Sequence, residues 1–95
     1  MKPKTIDIEL TPSERKLLMR HGYPFEGIAK ALQRVESSRN IELIPMSPFE
    51  LEMLIGDVCR SINRMRIGRT MDQLMELCDR LEVAERLGHG MLDRI

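Results

Sequence analysis

The side chains best suited to chemistry are few and scattered. Arg60, Arg64, Arg66 and Arg69 fall close together with no acidic residue between them, a run of guanidinium groups suited to gripping phosphate or another anion. At the end of a helix the same cations would instead complement its dipole, as Asp72 and Glu76 would at the start of the next helix. Asp72, Glu76 and Asp79 make a carboxylate stripe at helical spacing. No His or further carboxylate joins them at a spacing a divalent ion would need, so a solvated outer face is expected. His21, Tyr23, Phe25 and Glu26 gather around a Gly-Pro corner. A small ligand could sit there. The simpler expectation is a packed hinge in which Tyr23 and Phe25 bury their rings and His21 bonds a helix-end carbonyl.

Cys59 and Cys78 stand 19 apart with no second Cys or nearby His at ligand spacing, which is neither a disulfide framework nor a zinc knuckle. Buried free thiols are expected, with no metal and no cofactor. If the helices that carry them pair antiparallel about Gly68, the thiols lie at similar heights and come within several ångströms. A bridge would still need Cα atoms closer than about 7 Å and an oxidising compartment. Neither thiol has a base beside it in sequence, and the chain contains no phosphate-cradling glycine loop, HExxH pair or GxSxG elbow. No catalytic residue is assigned, and an enzyme is not expected.

The elements that position these residues follow from patterning. Thr5 to Leu10 alternates, Ile6, Ile8 and Leu10 against Asp7 and Glu9, as a half-buried strand does. Thr11-Pro12-Ser13-Glu14 is a capping box with proline at the first helical position, and it opens a short helix that Gly22 is expected to end in the left-handed conformation. Phe25, Ile28, Ala29, Leu32 and Val35 mark a second helix to about residue 36, and Ile41 to Ile44 a short strand closed by Pro45. Ser47-Pro48-Phe49-Glu50 repeats the capping chemistry and starts a third helix, broken by Gly68. Thr70 is expected to cap a fourth, running to about Leu87 before Gly88. The reading is a single α+β domain over residues 1–95, predominantly helical, in the order β-α-α-β-α-α. The direction of strand pairing stays open.

The segment Gly22 to Leu32 resembles the first helix of the helix-turn-helix in sigma-factor-like regulators. The resemblance covers about a dozen residues and implies DNA binding through a helical pair over residues 17–40, with Arg34 and Arg39 nearby. Gln33 to Asn40 departs from the pattern, for it holds no turn followed by an amphipathic recognition helix.

Composition narrows the classes further. The 95 residues carry 15 basic and 15 acidic side chains, so no overall field gathers nucleic acid or an anionic membrane. There is no basic arm, acidic tail or apolar run long enough for a membrane span or a secretory leader. A cytosolic protein is expected. The fourth helix spreads Met71, Leu74, Met75, Leu77, Cys78, Leu81 and Ala84 over roughly 180°, wider than the ~100° stripe that covers one core. Met71, Leu74, Leu77, Leu81 and Ala84 are therefore expected to form the interface of a homodimer, with Met91 and Leu92 adding to it. The expected function is a small self-associating interaction or regulatory module, which could take a second protein partner. A nucleic-acid-binding regulator using the 60–69 arginine run or the 17–40 pair is the alternative. A small enzyme with its site assembled across the dimer comes third.

Overall fold

A computed structural model describes residues 5–22 and 24–89. The elements are β1 (Ile6–Leu10), α1 (Pro12–His21), α2 (Glu26–Arg34), β2 (Glu42–Met46), α3 (Pro48–Arg64) and α4 (Arg69–Leu87). This is the expected α+β order, with helix predominating.

The two strands pair antiparallel, Ile6 opposite Met46 and Ile8 opposite Ile44. That register places Ile6, Ile8, Leu10, Ile44 and Met46 on one buried face, while Asp7, Leu43 and Pro45 face outward and are exposed. β2 does not stop before Pro45, as expected, but runs through it to Met46. In a two-stranded sheet each strand is an edge, the setting in which a missing backbone N–H is tolerated.

Both capping boxes form. The Glu14 N–H donates to Thr11 Oγ1 at 3.2 Å and the Thr11 N–H to Glu14 Oε1 at 2.9 Å; Ser47 and Glu50 repeat the exchange at 3.1 and 2.9 Å. α4 departs from expectation at its start. Gly68 occupies its N-cap with no side-chain cap, and Thr70 lies inside the helix. Its end is as expected, with Gly88 at φ 81°, the left-handed region glycine enters without a Cβ penalty.

Gly22 is not left-handed: its φ is −98°. Its requirement is spatial. A Cβ there would lie 2.8 Å from the Leu18 carbonyl oxygen and 2.9 Å from Leu54 Cδ1, so glycine lets the end of α1 close onto α3.

The core draws on every element, and α4 sits deepest. It packs against α3 along its length and also touches β1 and α1. Leu74, Leu81 and Ala84 are 0% exposed and Leu77 1% within the single chain. Most of the wide apolar arc of α4 is thus consumed by several neighbours in the same subunit, while Met75 within it stays 45% exposed. The expected homodimer seam of Leu74, Leu77, Leu81 and Ala84 is corrected accordingly: these side chains offer nothing to a second copy. Met71 is half-buried, and Met91 and Leu92 lie outside the described residues.

Candidate functional site

The α3–α4 hairpin brings the two cysteines together. Cys59 lies on α3 and Cys78 on α4, and the antiparallel packing of the two helices sets their Sγ atoms 3.3 Å apart. Glu82 follows Cys78 by one helical turn, and its Oε1 is 3.7 Å from Cys78 Sγ. Cys78 is 5% exposed, Cys59 half-buried and Glu82 exposed, so three donor groups converge at a spot open to water on one side. Burial pushes the Cys78 thiol up to about 12, with the adjoining Cys59 thiol and then the Glu82 carboxylate adding to the effect. Among the described residues this is the group of three His, Cys, Asp or Glu side chains whose ligand atoms lie within 4.8 Å of one another. Two soft sulfurs and one carboxylate oxygen in that space are donors that could hold a cation. The sequence reading brought the thiols to one height but missed Glu82, whose signal was its i+4 spacing from Cys78 on the helix.

The arginine run lies at the turn between the same helices. Arg60, Arg64, Arg66 and Arg69 are exposed. Arg60 is paired with Asp57, one turn before it on α3. A shallow cavity of about 250 Å³ is lined by His21, Asp57, Arg60, Ser61, Arg64 and Met65. The Asp57 carboxylate there cancels part of the positive field an anion would need. Asp72, Glu76 and Asp79 are exposed along α4.

The Gly-Pro corner differs from the packed hinge expected. Phe25 is 43% exposed, and its ring meets that of Phe49, itself 63% exposed, at a centroid distance of 6.0 Å and an interplanar angle of 32°. Phe25 caps α2 and Phe49 opens α3, so the pair bridges two helix starts; Met53, one turn beyond Phe49, is 40% exposed. The backbone carbonyl of His21, at the end of α1, accepts the Ser61 hydroxyl at 2.6 Å. Tyr23 lies outside the described residues. No recognition helix follows α2, because the chain turns into β2, so the helix-turn-helix resemblance ends at its first helix.

Arg15 was not singled out by the sequence reading. It is 4% exposed, and its guanidinium donates to the carbonyls of Leu10, Asn40, Ser38 and Val35 at 2.9, 2.9, 2.8 and 3.4 Å. It ties the end of β1 to the α2–β2 connection and is fully engaged in structure. Its signal was phase: Arg15 lies three residues before Leu18, on the inner side of α1. Arg80 works similarly from α4, pairing with Glu14 and donating to the Glu9 carbonyl.

No helix among the described residues is long and apolar enough to cross a membrane. Comparison with protein-family models, with curated proteins and with solved structures finds no match for this chain.

Proposed function

We propose that this chain is a small, non-catalytic protein-interaction module of the cytosol that pairs with a second copy of itself through the face built by Phe25, Phe49 and Met53. The observation that carries this reading is the exposed ring pair. Both phenylalanines of the chain keep much of their ring surface in water, where covering a wholly exposed ring gains roughly 1.5–3 kcal/mol and covering the remaining part correspondingly less; they touch each other, and Met53 follows Phe49 by one turn of α3. Contiguous apolar surface of this kind marks contact sites.

The rim supports a second copy as the occupant. Glu26, next to Phe25, pairs with Lys30 at 3.1 Å, and both are well exposed. A face carrying both signs is self-complementary under a two-fold axis, where each Glu26 can meet the Lys30 of the other protomer. The zero net charge sets no overall repulsion against it. The nucleic-acid alternative has weaker support: Asp57 neutralises Arg60, and residues 60–69 include no aromatic side chain to stack on a base.

Light scattering on the wild-type chain at tens of micromolar should return twice its 11.0 kDa mass. Phe49→Glu combined with Met53→Glu should return the single-chain mass with the helical circular dichroism intact, since both positions are on the surface. A wild-type chain of single mass throughout, or a double variant that still pairs, overturns the reading.

A further inference from the structure

We propose that Cys59, Cys78 and Glu82 form a zinc site that clamps α3 to α4, with the fourth coordination position open to solvent. This site is separate from the aromatic face, and neither proposal depends on the other.

The donor set selects the metal. Thiolates favour zinc and monovalent copper over calcium and magnesium, whereas a carboxylate is a poor ligand for monovalent copper and a common one for zinc. Three protein donors with one open position is a recurrent zinc arrangement.

Distance favours a metal over a sulfur–sulfur bond. Two thiolates on a tetrahedral zinc, each about 2.3 Å from the ion, stand about 3.8 Å apart. The observed 3.3 Å reaches that by opening about 0.5 Å. A disulfide needs about 2.05 Å and so a closure of more than 1 Å.

A divalent cation placed among the two sulfurs and the Glu82 carboxylate would be coordinated by all three, since their ligand atoms lie within 4.8 Å of one another. Binding exchanges two S–H bonds for two S–Zn bonds, with two protons leaving to water and no change of oxidation state. The ion enters from the exposed Glu82 side, past the half-buried Cys59.

The full chain, stripped with a chelator and kept reduced by a phosphine, is titrated with zinc against a chromophoric competitor, and with cadmium while its thiolate charge-transfer absorbance is followed. One equivalent per chain and a cadmium–thiolate band are expected. Cys59→Ser should abolish the band, and Glu82→Gln should weaken zinc binding by at least about tenfold, with both variants checked for an unchanged helical signal. Because Glu82 is exposed, its variant keeps the fold even if a cysteine variant does not. Absence of uptake by the wild-type chain, or zinc affinity indifferent to Glu82→Gln, overturns the proposal.

Discussion

Arg15 shows how one side chain can hold a junction that local patterning does not announce. A buried cation that forms no ion pair among the described residues is tolerated because four carbonyl oxygens, from β1, the end of α2 and the connection after it, replace its hydration shell. Removing it takes the charged donor from all four acceptors, of which the Leu10 carbonyl is buried. Arg15→Ala should therefore lower unfolding free energy by about 3 kcal/mol, read as a lower urea midpoint; a loss under about 1 kcal/mol would mean that water replaces the guanidinium. Glu14 divides its two oxygens in a comparable way, Oε1 completing the α1 capping box while Oε2 pairs with Arg80. One carboxylate thus links a helix start to a distant helix. The residues suited to chemistry were partly legible: Cys59 and Cys78 were placed at one height, but their 3.3 Å separation depends on the packing of α3 and α4.

At the level of elements, helix starts and ends obey short-range rules where such rules suffice. Thr11 and Ser47 were readable because a capping box is complete within four residues. The end of α1 differs from expectation because Gly22 is needed for space, against the Leu18 carbonyl of α1 itself and Leu54 of α3, and not for a left-handed φ. Gly22→Ala should cost about 1–3 kcal/mol in thermal or denaturant unfolding, because its methyl group would press on a backbone oxygen at 2.8 Å, and backbone gives way less readily than a side chain. Gly56, where an added Cβ meets nothing within 4 Å, supplies the control. Gly56→Ala should be neutral or stabilising, as expected for a helix-interior glycine. If both changes cost the same, close approach is not what Gly22 provides.

For the molecule as a whole, the decisive question is where the wide apolar arc of α4 goes. All of it but Met71 and Met75 goes inward, against α3, β1 and α1. Leu77→Glu therefore tests folding rather than assembly. Placing a carboxylate at a site 1% exposed should cost more than about 4 kcal/mol, comparable with the whole stability of a domain this size. The helical circular dichroism should collapse, whereas Phe49→Glu with Met53→Glu should leave it standing. A folded Leu77→Glu chain of reduced mass would return the dimer seam to α4. The fold class and element order could be read in advance because amphipathic periods of two and 3.6 reveal which residues turn inward. They do not say whose surface the inward side meets.

By itself the sequence determined the two strands, four helices, both capping boxes and the left-handed Gly88, since each rests on residues a few positions apart whose local energetics are nearly independent of the rest. Tertiary structure alone decided the antiparallel pairing, the covering of α4 within one subunit, the carbonyl cage around Arg15, the exposed contact of Phe25 with Phe49 and the convergence of Cys59, Cys78 and Glu82. Those features join positions as far apart as Glu14 and Arg80. Their energies exist only once the intervening chain has been ordered, so a local spacing, such as the i+4 relation of Glu82 to Cys78, signals only a part of each.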